Sequence, residues 1–256
     1  MIRFLDVAVA VWWRQTHNFL HNPRFLMPAV IFPLFFFTSF AGGLSGIDAI
    51  PGFHYAPGYT AFQFAFVLLQ ASAFGGVFTG FSIAADFEFG FSRRLMLAAP
   101  NRMAIVLGYA LTALTRAAIV WVLLTTIALI VGVRFHGGVA ATLGIYVAAA
   151  GLNLVAVLFA TGVATRLRTM QAGPAMQMPT FLTIFLAPVY LPYDLMQGWI
   201  KHAAYFNPIT PVIELARDLL AGTPDPHLSG YAALGGMLAV FTLWAVTGMR
   251  RAERAG

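Results

Sequence analysis

Long apolar stretches, separated by short polar segments, follow one another along the whole chain. Each approaches the ~20 residues that an α-helix needs to cross a bilayer core of ~30 Å. The pattern predicts six transmembrane helices, at residues 25–44, 60–84, 103–133, 139–165, 172–191 and 228–249. These stretches and their connections take up nearly all 256 residues. The prediction is therefore an all-α membrane protein, with residues 1–256 forming a single transmembrane domain.

The first 22 residues have a different pattern, in which polar and apolar side chains occupy opposite faces of a helix. The polar stripe consists of Arg3, Asp6, Arg14, His17 and His21, and the apolar face of Ile2, Leu5, Val9, Trp12 and Trp13. The polar residues interrupt the continuous apolar region that a signal peptide requires. A helix of this kind lies in the membrane interface with its Trp rings at headgroup level. The alternative is a helix packed on a water-exposed part of the protein.

Segment 86–102 interrupts the apolar pattern with charged residues and contains a short amphipathic helix. Its apolar face carries Phe91, Leu95, Ala98 and Ala99, whereas Arg93 and Arg94 lie off that face. Pro100 ends the helix, because a proline ring is excluded from a helix interior. A compact charged helix between two membrane spans is suited to docking on a cytosolic partner.

A second patterned segment, 193–227, precedes the last predicted span. Its two apolar pieces, at about 195–206 and 211–220, are too short to cross a bilayer. Thr210 is a candidate N-cap for the second piece, with Pro211 at its first helical position. The pattern predicts a pair of re-entrant helices that enter the membrane from the outer side.

The distribution of basic residues predicts the orientation. The side that carries the chain ends and loops 86–102 and 166–171 holds eleven of the fifteen basic residues, and the opposite side holds only Arg134, Lys201 and Arg217. The positive-inside rule therefore places both termini in the cytoplasm. Since these charges flank apolar spans, the net charge of +6 does not indicate nucleic-acid binding.

The amino-acid composition limits the kinds of chemical site that this chain can form. Only 9% of the residues are charged, against about 25% in soluble domains. The chain has no cysteine, which excludes disulfides and thiolate chemistry. Its single lysine, Lys201, is not preceded by the glycine loop of a P-loop, so we expect no ATP site or other cofactor on this chain. His17 and His21 are spaced like metal ligands, but a solvated helix face is favoured and no metal is expected.

Polar residues inside the predicted spans are candidates for a substrate path, because they are costly in hydrocarbon. They are Gln63, Gln70, Arg116 and Asn153. Arg116 has two interpretations: its side chain extends to the inner interface, or it lines the path. For the three amides, hydrogen bonds between helices are the alternative to lining a path.

The two patterned segments resemble the ABC-2 type permease family. In that family the cytoplasmic segment begins with an acidic residue and a glycine, continues with basic residues and leucines, and ends in Ala-Pro. The matching positions here are Glu88, Gly90, Arg93, Arg94, Leu95, Ala99 and Pro100. Phe89 and Phe91 stand where polar residues are usual. Three features of the second segment are also similar to the family: the Pro-rich end of the fifth span, Gly198-Trp199, and Asn207-Pro208-Ile209-Thr210 ahead of Arg217.

The resemblance covers nearly the whole chain and implies the permease subunit of an ATP-driven exporter. Segment 86–102 would be the coupling helix that fits a cleft in the ATPase subunit, with Glu88, Gly90, Arg93, Arg94, Leu95 and Pro100 as coupling residues. Expected partners are two P-loop ATPase subunits, which would hold ATP and Mg²⁺, a second permease copy or a close paralogue, and membrane lipids. The expected location is the bacterial inner membrane, and the expected substrate is a hydrophobic or amphipathic drug, antibiotic or lipid.

Two other classes remain open. A membrane enzyme acting on lipids would need acidic or histidine residues clustered at one interface, and the outer segment offers Asp194, Glu214, Asp218 and His227. Their spacing matches no known metal or acid–base motif. A passive channel or a scaffold is the other alternative.

Overall fold

A computed structural model describes residues 2–99 and 101–254, and this part of the chain is helical, without β-strands. The helices are α1 Ile2–His21, α2 Pro23–Gly43, α3 Tyr59–Glu88, α4 Phe91–Ala98, α5 Met103–Ile130, α6 Gly138–Leu167, α7 Gly173–Phe185, α8 Gly198–Phe206, α9 Thr210–Ala221 and α10 Ser229–Arg254. The predicted all-α class is therefore confirmed.

Five segments among the described residues are long and apolar enough to cross a membrane. They are Ala29–Ala49, Tyr59–Glu88, Met103–Ile130, Gly138–Leu167 and Ser229–Arg254. The fifth predicted span, 172–191, contains only the 13-residue α7, which is about 20 Å long at 1.5 Å per residue and so shorter than a bilayer core. The chain beyond Phe185 forms turns as far as Pro192. The count of six transmembrane helices stays a prediction.

Helix α3 is the centre of the bundle, and most of its side chains are buried. It packs mainly against α6, where Gly76 and Gly80 remove the side chains that would hold the two backbones apart. A Cβ atom at Gly76 would lie 2.5 Å from the Asn153 carbonyl oxygen and 2.8 Å from the Cβ of Ala156. Small residues four apart allow close helix packing of this kind within membranes.

Replacing Gly76 with Ala is expected to destabilise the bundle by about 1–3 kcal/mol, the usual cost of overpacking. The reason is that the added methyl would meet backbone atoms of α6, which cannot rotate away. The measurement is the amount of monodisperse protein left after heating in detergent. Gly235→Ala in α10 is the control, because a Cβ there meets no atom within 4 Å. Equal stability of the two variants would contradict the prediction.

Helix α1 packs along α5. Besides the polar and apolar faces that the sequence predicted, it has a third face that is buried against α5. Its buried face carries Ala8, Val11, Gln15, Thr16 and Phe19. Val11 and the Ala8 carbonyl lie directly over Gly108 of α5. Leu5, Val9 and Trp13 of the predicted apolar face are exposed large side chains, as expected of a helix at a membrane surface. The side chains of Ile2 and Arg3 lie outside the described part.

Candidate functional site

The carboxylate of Asp86, near the C-terminal end of α3, joins three helices through one oxygen atom. Its Oδ2 accepts hydrogen bonds from the Gln15 side-chain amide at 2.9 Å and from the Tyr109 hydroxyl at 2.5 Å. The Arg14 guanidinium makes an ion pair with the same oxygen. Arg14 also lies over the Phe91 ring, with its Cζ 3.7 Å from the ring centroid. Asp86 therefore connects α1, α3 and α5, and Arg14 extends the connection to α4.

Helix α4 begins after a left-handed residue, Gly90 at φ 74°, a conformation that glycine adopts without strain. Phe91 and Leu95 are half-buried and Ala99 is buried, which agrees with the predicted apolar face. On the outside, Phe89 is 77% exposed, Leu97 is 83% exposed, and Arg94 is exposed. We call Phe89, Arg94 and Leu97 the α4 outer surface. The predicted coupling residue Pro100 and the side chains of Arg93 and Ala98 lie outside the described residues.

Two further contacts connect the α4 region to the rest of this end of the molecule. Glu88 Oε2 accepts hydrogen bonds from the Met170 backbone N–H at 2.5 Å and the Thr169 hydroxyl at 3.1 Å. Glu88 thereby holds the short 3₁₀ turn Met170–Ala172 that precedes α7. Beyond α4, Arg102 makes an ion pair with Glu253 of α10 at 3.0 Å. Polar contacts at this end thus join α3 to α1, α5 and the turn before α7, and join the start of α5 to α10.

A second polar centre lies at the opposite end, around Arg217 of α9. Its side chain is 1% exposed. It donates to the carbonyl oxygens of Pro188 at 2.7 Å and Val189 at 3.3 Å, pairs with Glu214 at 3.2 Å, and lies over the Phe62 ring. Burial raises the pKa of the Glu214 carboxyl, and the positive charge of Arg217 opposes that shift.

The chain between α7 and α9 is held in place by hydrogen bonds between side chains and backbone groups. Asn207 donates to the Thr183 carbonyl at 2.5 Å, and its Oδ1 accepts from the Ile209 N–H at 2.9 Å. Thr210 does not cap α9 as predicted. Its hydroxyl donates to the Ala204 carbonyl at 2.7 Å, and so it joins α9 to α8.

The four candidate path residues are buried, but they do not meet at one place. Gln63 belongs to the Arg217 end, where it donates to the Tyr59 hydroxyl at 2.6 Å and the Val189 carbonyl at 3.1 Å. Asn153 joins α6 to α3 by donating to the Ser72 carbonyl at 2.8 Å. Both polar atoms of the Gln70 amide are buried without a hydrogen-bond partner among the described residues. An interhelical hydrogen bond thus accounts for the Asn153 amide nitrogen, whereas the Gln63 nitrogen bonds within α3 and to the chain after α7. The side-chain oxygens of Gln63 and Asn153 are buried without a partner among the described residues, as is the whole Gln70 amide.

Arg116 lines a cavity of about 260 Å³ between α1, α2, α3 and α5. Its guanidinium donates to the Gln15 carbonyl at 3.2 Å and lies over the Phe19 ring. The side chain is only 8% exposed, so it is packed inside the bundle and reaches helix α1 rather than open solvent.

Three of the four outer-segment candidates, Glu214, Asp218 and His227, lie near one another, and the charges of Asp218 and His227 act on the Glu214 carboxyl. Asp218 Oδ2 is bonded to both the backbone N–H and the ring of His227, while Glu214 pairs with Arg217. Among the described residues, no three acidic, histidine or cysteine side chains are placed to hold a metal ion.

A bundle of lipid-length apolar helices with exposed apolar side chains defines a multi-pass integral membrane protein. The model of the ABC-2 type transporter family matches residues 7–221. The chain is also 24% identical, over 213 residues, to the daunorubicin resistance ABC transporter permease protein DrrB1 of Streptomyces coeruleorubidus. The aligned region covers 82% of this chain and 74% of that protein. The chain belongs to the ABC-2 type transporter family, and the predicted resemblance is confirmed.

The sequence did not single out Asp86 or Arg217 as connecting residues. Asp86 is the first charge after 25 uncharged residues, 61–85, and Arg217 lies in a helix whose other inward residues are apolar. A charge in such surroundings requires a partner. That signal identifies the residues but not their partners, which come from α1, α5 and the chain before α8.

Proposed function

We propose that this chain is the permease subunit of an ATP-driven exporter in a bacterial inner membrane. It pairs with a second permease copy or a close paralogue and with two ATPase subunits, which hold ATP and Mg²⁺. Both termini face the cytoplasm, α7 with the following turns completes a sixth crossing, and α8 and α9 form the re-entrant pair. Family membership supports the partnership with an ABC ATPase.

The observation that carries this proposal is the α4 outer surface together with the contacts behind it. Exposed apolar side chains beside an exposed arginine are typical of a protein–protein contact. Behind α4, the contacts of Arg14, Asp86, Glu88 and Arg102 lead to α1, α3, α5, α10 and the turn before α7. A movement of α4 driven by the ATPase would thus reach most of the bundle directly. The residues of this chain transmit force and do no covalent chemistry.

The proposed substrate is hydrophobic or amphipathic: a drug, an antibiotic or a lipid. The relative that the chain resembles is named for daunorubicin resistance, and its name supports a drug. We place the path between two permease copies, with Gln63, Gln70, Arg116 and Asn153 as candidate lining residues. Gln70 is the strongest of the three amides, because both of its buried polar atoms lack partners within the described chain, whereas Gln63 and Asn153 lack a partner only for the oxygen.

The test is a detergent pull-down of the tagged chain from its native host, with the co-purifying proteins identified. We expect a P-loop ATPase, recovered about tenfold less with Arg94→Glu, which corresponds to about 1.4 kcal/mol. Arg134→Glu is the matched control, because Arg134 is an exposed arginine in the α5–α6 connection at the other end. Glu88→Ala is expected to reduce recovery as well, because it frees the turn before α7. A chain that purifies without any ATPase would contradict the proposal.

A further inference from the structure

The Arg116 cavity is long and mostly apolar. Its wall along α3 extends from Ala71 to Ala85, a rise of about 21 Å at 1.5 Å per residue. The other walls come from α1, α2 and α5, and five phenylalanines contribute: Phe19, Phe32, Phe74, Phe78 and Phe81. The volume of about 260 Å³ is smaller than the pockets that hold drug-sized molecules. A narrow space of this length suits an alkyl chain better than a fused ring system.

Arg116 is the charged group in this cavity, and within the described chain it has no carboxylate partner. Its protein contacts are the Gln15 carbonyl at 3.2 Å and the face of the Phe19 ring at 4.7 Å. Its Nε is buried without an acceptor. A guanidinium that is 8% exposed without a counter-ion is unfavourable in a low-dielectric interior. An anion bound beside it would supply both the missing charge and the missing acceptor.

We propose that this cavity binds an anionic amphiphile and encloses one of its alkyl chains. The phosphate or carboxylate head contacts Arg116, and the alkyl chain extends along α3 between the phenylalanines. The inference rests on the proposed function and extends it, because it names the chemical class of the molecule that enters the permease from the inner leaflet. Two sources share this chemistry: an acyl chain of an anionic membrane lipid, and a transported amphiphile.

The position of Gln15 connects this site to α4. The Gln15 backbone carbonyl accepts from Arg116, and its side-chain amide donates to Asp86 at 2.9 Å. An anion that drew the guanidinium away would release the Gln15 carbonyl, on the same residue that holds Asp86. Occupancy of the cavity therefore acts on the contacts behind α4.

The test is photolabelling of the purified full-length protein in phosphatidylcholine nanodiscs, with hexadecyl phosphate and hexadecanol that each carry a diazirine. We expect α3 and α5 peptides at the cavity to be labelled at least tenfold more by the phosphate than by the alcohol. Arg116→Gln should reduce phosphate labelling to the level of the alcohol, and Arg116→Lys should retain most of it. Equal labelling by the two probes, or labelling unchanged in folded Arg116→Gln, would overturn the proposal.

Ser82→Phe is a second variant that keeps Arg116 and fills the cavity from α3. It should remove labelling by both probes, and unchanged labelling would also overturn the proposal. Competition by phosphatidylglycerol in the nanodisc identifies a membrane lipid as the ligand, whereas loss of the label during ATP turnover with the ATPase bound identifies a transported molecule. Labelling of the cavity does not require the ATPase. If the protein is not labelled but still recovers the ATPase normally, this inference is refuted and the proposed function stands.

Discussion

Replacing Leu97 with Asp is expected to weaken binding of the partner ATPase about 100-fold, corresponding to about 2.7 kcal/mol. Leu97 is 83% exposed on α4 and belongs to the proposed contact. Apolar side chains enclosed at the centre of an interface supply much of its binding energy, and an unpaired carboxylate there is strongly unfavourable. The measurement is a titration of the purified ATPase onto the reconstituted permease. Phe89→Asp is expected to act in the same direction.

The control for this prediction is Leu167→Asp at the end of α6. Leu167 is also an exposed leucine, 53% exposed, in the loop region that we place on the same side of the membrane. The substitution therefore adds the same charge outside the α4 outer surface. Since Leu97 is so exposed, the permease itself should keep its thermal stability in both variants. Equal ATPase affinity for the two variants would show that α4 is not the docking element.

Replacing Arg217 with Met is expected to destabilise the end of the bundle around α9 by about 3–5 kcal/mol, the range for breaking a buried ion pair from one side. Met preserves much of the side-chain volume but leaves Glu214 without its partner. It also leaves the Pro188 and Val189 carbonyls without the donors that lie at 2.7 and 3.3 Å. The measurement is the thermal unfolding of the purified protein in detergent.

Two comparisons test that explanation. Lys201→Met removes the same charge from the same end. Within the described chain, the polar contacts of Lys201 are the Asp194 carbonyl at 3.4 Å and the Tyr193 ring, so little change is expected. Glu214→Gln combined with Arg217→Met should recover part of the lost stability, because the buried carboxylate is then neutral. An Arg217→Met protein as stable as the wild type would mean that the carbonyls find other donors.

The sequence predicted the long helices well, because apolar length is a direct requirement of the bilayer. It was less informative about where a helix ends. Helix α3 runs to Glu88, whereas the predicted second span ends at residue 84. The helix continues past the first charge because Arg14, Gln15 and Tyr109 satisfy Asp86. Hydropathy identifies the part of a helix that suits lipid, and side-chain partners decide how far the helix extends.

The parts that sequence could not predict depend on contacts between residues distant in the chain. Arg217 bonds to carbonyls 28 and 29 residues away, and Arg116 reaches Gln15 across 101 residues. The predicted fifth span was continuous on hydropathy alone, yet α7 ends at Phe185 before Pro188. The Thr210 cap was wrong because the Ala204 carbonyl competes for its hydroxyl. The α4 face was predictable, since the amphipathic pattern of an eight-residue helix needs no distant partner.

The glycine contact between α3 and α6 has a mechanical consequence. At Gly76 and Gly80 the side chains of α6 nearest to the α3 backbone are the methyl groups of Ala156 and Ala160. Because alanine has no rotamers, no change of rotamer there can absorb a displacement between the two helices. The two helices must therefore turn together as one stiff body. Any bending has to take place where longer side chains separate the helices, as between α2 and α3 across the Phe37 and Phe64 rings. Conformational change in this bundle would then be a rotation of the paired α3 and α6 against α2 and its neighbours, rather than a separation of α3 from α6.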